Sequence, residues 1–419
     1  MKIPAAIALC IGSACLCIRA QEPDYGISVP VTISGNALFD RGLQGDDPHK
    51  ISTTAGLRAV VSPSLRLGPH WFLYSSFEVH SSSYFHYQSG LDTDSPIYFH
   101  AMQAFLGYTT TIGKATILIK AGQLSSAFGY FPLEYDEAKT SFPNLPPAYG
   151  TPVPLRPDQL PCGVIDLLSQ TYGQDLDYRC GGSQADSYGT LPVALYGLPG
   201  IEAELSAGHI DARLQVTNSS PANPHGFLSE SQFVQWTAGG GYSFRGGLRI
   251  GVSGFRGPYL DRLLEPLLPP GKTLRDFPAS GIGTDVQWAR GRWSTEGEWQ
   301  QFRFDLPGFV TSPSERTAYA EVKSILSPRA FLAVRATTLN FGRVQDASGL
   351  AVNTFASPEQ VYEFGFGYRP DRRQLIKVEY EWAKLGAWSA NSRFWPGRRG
   401  SGLEIQLVTA FTPFSRAFR

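Results

Sequence analysis

The sequence predicts an all-β fold, a transmembrane antiparallel up-and-down β-barrel of about sixteen strands. Three observations carry that expectation. Residues 375–382, LIKVEYEW, alternate Ile376, Val378, Tyr380 and Trp382 with Lys377, Glu379 and Glu381, which is the two-residue period of a strand. Similar segments recur along the chain, joined alternately by tight turns and long loops. Beyond the N-terminus no run of apolar residues is long enough for a membrane helix, so a membrane-spanning chain of this kind must close a barrel to satisfy its backbone.

The strand-like segments fall at 26–38, 52–65, 70–83, 96–111 and 115–124. After a long irregular stretch at 125–189 they resume at 191–206, 210–218, 232–244, 248–256, 281–289 and 292–304. The last five are 316–325, 330–341, 360–369, 374–385 and 402–412. Short connections such as Gly208-His209, Gly291 and Ser327-Pro328 alternate with loops near 39–51, 84–95, 219–231, 257–280, 305–315, 342–359 and 386–401. That asymmetry is what an outer-membrane barrel shows, with short turns on the periplasmic side. In 360–369 the apolar face is Tyr362, Phe364, Phe366 and Tyr368, against Glu363, Gly365 and Gly367. In 402–412 Leu403, Ile405, Leu407 and Phe411 oppose Glu404 and Gln406. Aromatic residues collect at strand ends, among them Trp71, Tyr98, Tyr108, Trp236, Tyr242, Trp288, Trp293, Tyr368, Trp382 and Trp388, as interfacial girdles require. A secreted β-sandwich also alternates but gives no reason for rings at both ends of so many strands.

Composition agrees. Charged residues are 17% and aromatics 13%, low and high for a soluble chain, while 44 Gly and 31 Pro suit many turns. A formal net charge of zero removes the basic excess expected of a nucleic-acid binder. Lys2, the apolar stretch IPAAIALCIGSACLCI and Arg19-Ala20-Gln21 read as a secretory signal over 1–20, leaving 21–419 as one barrel domain in the cell outer membrane. Neither Cys15 nor Cys17 has a Leu three residues upstream, as lipid attachment would want. Removal of the signal takes three of five cysteines and leaves Cys162 and Cys180, which suit one disulfide in an oxidising compartment.

The segment KAGQLSSAFGY, residues 120–130, leads from the fifth strand into the longest loop. Its Lys120, Gly122, Gln123, Phe128 and Gly129 resemble the Lys-x-Gly-Gln/Arg…Phe-Gly segment of the phosphate-selective porin family and related sixteen-stranded Gram-negative porins. The resemblance implies a water-filled channel for passive diffusion of small hydrophilic solutes or ions. It also implies a third loop, about 125–189 here, folded inward as a constriction and stapled by Cys162 and Cys180. Homotrimers come from the resemblance alone, as do contacts with outer-membrane lipid and lipopolysaccharide and delivery by the barrel-assembly machinery. Two departures limit it. The loop carries Lys139, Arg156 and Arg179 but also Glu134, Asp136, Glu137, Asp158, Asp166, Asp175, Asp177 and Asp186, so phosphate selectivity does not transfer. The chain ends Phe418-Arg419, with the last strand expected to finish by Phe411 or Phe414.

Constriction candidates are therefore Phe128, Glu134, Asp136, Arg156, Asp158 and Asp166. Pore-lining candidates, on the polar faces, are Arg58, Glu78, Lys120, Arg213, Glu296, Glu298, Arg335, Lys377, Glu379 and Glu381. Rings of charge of this kind set ion preference in a pore. The pairs Glu379/Glu381 and Glu296/Glu298 could in principle serve glycoside chemistry, but any polar lumen shows the same pattern. His80 and His86 lack metal-ligand spacing, no phosphate-cradling loop occurs, and no cofactor is implied. The alternatives kept open are a plugged barrel acting as an enzyme or adhesin, and a secreted β-sandwich binding protein.

Overall fold

A computed structural model of the chain describes residues 25–42, 51–81, 97–169, 178–182, 189–218, 220, 234–386 and 398–418. The signal expected at 1–20, Trp388 and the loop acids Asp175, Asp177 and Asp186 lie outside the described residues. The strands are β1 (Tyr25–Arg41), β2 (Ile51–Val61), β3 (Ser64–Leu67), β4 (Trp71–Ser81), β5 (Ile97–Ile112) and β6 (Ala115–Ser125). Beyond the long loop come β7 (Tyr196–Ala207), β8 (Ile210–Thr217), β9 (Gln235–Ser243), β10 (Leu248–Pro258), β11 (Pro278–Arg290) and β12 (Trp293–Phe304). Then follow β13 (Phe309–Thr311), β14 (Ser314–Ser327), β15 (Ala330–Phe341), β16 (Val344–Asp346) and β17 (Ala351–Val352). The chain closes with β18 (Glu359–Tyr368), β19 (Gln374–Leu385) and β20 (Arg398–Phe418).

Seventeen of these form one antiparallel sheet. Because β2 and β3 both pair with β1 and with β4, they are one interrupted strand, which makes the barrel sixteen-stranded among the described residues. The interruption falls at Pro63, which has no N–H to donate to a ladder; Ser62 N instead donates to Pro30 O. The sheet closes where β20 pairs with β1 from Tyr25↔Phe418 to Arg41↔Ser401. The last strand therefore runs on to Phe418 rather than ending at Phe411 or Phe414. The register shift opposite Val29 and Val31 takes up Pro30 and Pro413, so the strand passes both prolines and places an aromatic at its end.

The faces are those of a membrane barrel. Tyr362, Phe364, Phe366, Tyr368, Leu403, Ile405 and Leu407 are exposed, while Glu363, Lys377, Glu379, Glu404 and Gln406 between them are buried. Apolar side chains pointing outward around the sheet are stable only against lipid. Trp71, Trp236, Tyr242, Trp293 and Tyr368 stand on the outer surface. Tyr98 does not: it stacks on the buried His80, with ring centroids 5.3 Å apart, so it belongs to the interior and not to a girdle. No helix of the described residues is long and apolar enough to cross a membrane. Val378 pairs with Ile405 and Phe366 on the outer face. Val378→Arg is expected to destabilise the barrel by about 2–4 kcal/mol if it sits near the bilayer midplane. A denaturant titration in lipid would read this as a lower midpoint; an unchanged midpoint would place that face away from lipid.

The long-loop ends carry structure that alternation could not announce. β13, β16 and β17 form a separate three-stranded sheet within segments expected to be loops. Among the described residues the long loop holds three short helices, α1 (Phe131–Glu134), α2 (Pro147–Gly150) and α3 (Val164–Ser169).

Candidate functional site

The segment after β6 is bonded to inward-facing side chains on several strands, among them β2, β8, β10, β12, β15 and β19. Gly122 and Gly129 explain why the motif needs glycine. A Cβ on Gly122, whose φ is 145°, would lie 2.2 Å from Ala104 O. One on Gly129, at φ 76°, would lie 2.1 Å from the Tyr149 hydroxyl and 2.8 Å from Glu298 Oε2. Between the two glycines the chain turns off the wall. Arg213 on β8 donates to Ala127 O at 2.7 Å and Gly129 O at 2.5 Å, and Gly129 N donates to Ser253 Oγ at 3.0 Å.

Glu298 on β12 is the main anchor. Its Oε1 accepts from Phe131 N at 2.7 Å, Tyr130 N at 3.2 Å and the Tyr319 hydroxyl at 3.2 Å. Its Oε2 accepts from the Tyr149 hydroxyl at 2.7 Å and Gln300 Nε2 at 2.5 Å. Burial and the adjacent Glu298 carboxylate push the Tyr149 phenol up, so it keeps its proton and donates. Phe128 is fully buried, 5.0 Å edge-on to Phe255 and 5.5 Å from Phe302. It is a wedge between loop and wall. With Phe131, Tyr149, Val153, Leu155, Leu160 and Val164 it joins an apolar core shared with β10, β12 and β15.

The opposite half of the interior is held by charge. Arg58 Nε meets Glu78 Oε1 at 2.7 Å, and its Nη1 reaches Glu137 at 3.0 Å and the Tyr135 hydroxyl at 2.7 Å. Arg335 forks onto Glu363, lies over the Phe142 ring at 4.5 Å and donates to Asn144 O at 2.8 Å. Asn144 in turn donates to Glu379 at 3.2 Å and Glu381 at 3.3 Å. Lys377 donates to Thr140 Oγ1 at 2.9 Å and Phe142 O at 3.3 Å. Lys377 and Glu379 thus face inward but lie beneath the loop. Arg369, in the turn after β18, donates to Ala138 O at 2.7 Å, so the loop reaches the short-turn end.

Glu134 ends α1 and Asp136 caps Ala138 N at 2.9 Å, both half-buried. Arg156 and Asp158 form a two-pronged pair at 2.8 Å. Cys162 and Cys180 are bonded as expected, with Cα atoms 5.0 Å apart. Asp166 braces both ends of that loop, accepting from Cys162 N at 2.9 Å and Arg179 N at 3.0 Å. Asp346 of β16 accepts from Val164 N at 2.9 Å and fixes α3 against the three-stranded sheet. Lys120 on β6 bridges Glu202 and Glu204 of β7, and Glu296 stands across from Glu321.

Sequence reasoning missed the tyrosines Tyr130, Tyr135 and Tyr149 and the amide Asn144, which carry many of these contacts, and named Glu137 only among the acids of the loop. It also missed the inward glycines of β9 and β10. A Cβ on Gly241 would lie 2.4 Å from Arg249 Nη2, one on Gly239 3.1 Å from Arg213 Nε, and one on Gly251 2.4 Å from Asp285 Oδ2. These glycines let charged side chains lie flat on the wall; the run AGGGYS in β9 was the available signal.

The architecture, a closed sixteen-stranded barrel with its third long loop bonded to the inner wall, can be compared with solved structures. The outer-membrane channel DcaP of Acinetobacter baumannii superposes with a TM-score of 0.54 at 10% identity, over 92% of this chain and 97% of that one. The chain has the porin-type barrel. Outer-membrane expressed OmpT of Vibrio cholerae gives 0.53 at 9% identity over 94% and 99%, and an anion-selective porin from Comamonas acidovorans gives 0.51 at 10% over 92% and 100%. No protein-family model and no curated protein sequence matches the chain. The porin-type barrel and its apolar outer belt make it an outer-membrane protein by architecture.

Proposed function

We propose that this porin-type barrel is a passive channel, in which small hydrophilic solutes or ions cross the outer membrane down their gradients past the loop 125–189. The observation that carries the reading is the inversion of the faces: the strands turn ionisable and amide side chains inward and apolar ones outward. A barrel needed only as an anchor has no use for so many charges inside it. Arg58, Glu78, Lys120, Arg213, Glu296, Glu298, Arg335, Lys377, Glu379 and Glu381 are the wall charges in this proposal. Some of them hold the loop and others border the remaining aperture. The loop residues Glu134 and Asp136 border the aperture, and Phe128, Arg156, Asp158 and Asp166 support the loop behind it. No reaction chemistry is assigned to the Glu296/Glu298 and Glu379/Glu381 pairs. The mature chain is proposed to begin near residue 21 and to assemble as a homotrimer in lipid and lipopolysaccharide.

Refolded protein in planar bilayers tests this directly. Ohmic single-channel conductance is the expected result. Folded, heat-modifiable protein that passes no current would leave the plugged-barrel reading, in which the loop's contacts from β1 to β19 seal the interior.

A further inference from the structure

The charges of the interior differ in how much of each meets water, and the difference has a sign. On β6 to β11 they form one connected strip. Tyr74 packs 5.3 Å from Phe105, and Lys120 Nζ lies 5.7 Å above the Phe105 ring. Lys120 bridges to Glu204, which stands across from Arg213 in the β7–β8 register. Two residues back on the same face of β8, Asp211 takes both prongs of Arg249, at 2.8 and 2.5 Å. Arg249 also reaches Asp285 at 2.5 Å and lies 5.5 Å from the Tyr130 ring centroid.

Along that strip the cations are sequestered. Lys120 and Arg249 side chains are 7% and 10% exposed, while their partners Glu204 and Asp211 keep 28% and 27%. Arg213 is buried with its guanidinium on the loop carbonyls of Ala127 and Gly129. Gly239 and Gly241 supply the floor on which Arg213 and Arg249 lie flat. Beside them Asp285, 2% exposed, has one oxygen, Oδ2, with no hydrogen-bond donor among the described residues. Lys139 on the loop is exposed but sits 3.1 Å from Asp136. The edge that water touches is therefore anionic, with the half-buried rings of Phe105, Tyr74 and Tyr130 next to it.

We infer that this strip makes the channel prefer cations over anions, and that it admits small organic ammonium ions. A carboxylate edge attracts cations at long range, and aromatic faces stabilise a weakly hydrated ammonium at contact. The arginines cannot offset this, because each already serves a carboxylate or a carbonyl and presents little surface. The inference rests on the channel reading and deepens it.

The test is the reversal potential of the full-length protein in planar bilayers under a KCl gradient, repeated with choline chloride. Low salt is used, since the Debye length is about 10 Å at 0.1 M and shrinks above that. A reversal potential of cation-selective sign is expected with both salts. The double variant Glu204→Gln, Asp211→Asn is expected to bring the cation-to-anion permeability ratio several-fold closer to unity. Anion-selective or zero reversal of the wild type overturns the inference while leaving the channel standing, as does choline carrying no current. An unchanged ratio in the folded double variant overturns the assignment to this strip. Absence of any conductance overturns inference and channel together. If the variant does not fold, the wild-type potentials in the two salts still decide.

Discussion

Arg335→Met is expected to destabilise the folded barrel by about 3–5 kcal/mol, the cost of leaving buried charge uncompensated. Arg335 is buried on β15, opposite Glu321 of β14 and Glu363 of β18. Beyond Glu363 the ladder sets carboxylate against carboxylate: Glu363↔Glu381 on β19 and Glu379↔Glu404 between β19 and β20. Like charges directly opposite destabilise a sheet, so the guanidinium is what permits this acidic wall. The variant also removes the donor to Asn144 O, and with it a tie between loop and wall. Thermal unfolding followed by gel mobility in detergent reads the loss. Adding Glu363→Gln should recover part of it, because one buried negative charge goes with the positive one. A variant as stable as the wild type would show that solvation or protonation, rather than Arg335, accommodates these carboxyl groups.

Glu298→Ala is expected to raise single-channel conductance and current noise while preserving the barrel. The five donors that converge on this carboxylate come from the loop at Tyr130, Phe131 and Tyr149 and from the wall at Gln300 and Tyr319. Hydrogen bonds to a charged group contribute about 1.5–3 kcal/mol each, and the orphaned donors add desolvation costs of their own. The start of the loop should detach, since Gly129 and Phe128 are placed by the same cluster. Limited proteolysis between 130 and 150 should accelerate in parallel, with strand content by circular dichroism unchanged. Conductance and proteolysis both equal to wild type would mean the Phe128–Phe255–Phe302 wedge holds the loop without the carboxylate.

How much could be read from the chain beforehand follows from the range of each signal. Strand alternation is local, so β18 and β19 were legible to within a residue or two, and the orientation of Tyr362, Phe364, Glu363 and Glu379 came with it. Proline interrupted that signal in one place that mattered: Pro413 hid the continuation to Phe418, whereas 52–65 read through Pro63 as the one strand that β2 and β3 together make. Strands of two or three residues, as in β13, β16 and β17, are too short to display a period at all. The disulfide was legible by elimination among the cysteines. The loop's anchors were not, because Glu298 meets Tyr149, and Arg58 meets Glu137, across long sequence separations that no local pattern encodes. The same holds for the exposure difference between Glu204 and Lys120, which exists only once the wall has curved.

The seam between β1 and β20 sets the order in which such a wall can be completed. Every other barrel pairing joins segments that are neighbours along the chain, and most are hairpins. The seam pairs Tyr25 with Phe418, so nearly all of the described chain lies between its two edges. In equilibrium terms that span costs little, since each doubling of a closed loop adds only about 0.6 kcal/mol. In kinetic terms it costs much more, because distant pairings form slowly. Until they form, β1 and β20 each present a row of unpaired backbone groups, which lipid does not tolerate. Closure of this one seam is thus the committing event of assembly, and a partly zipped ring has no resting place in the bilayer.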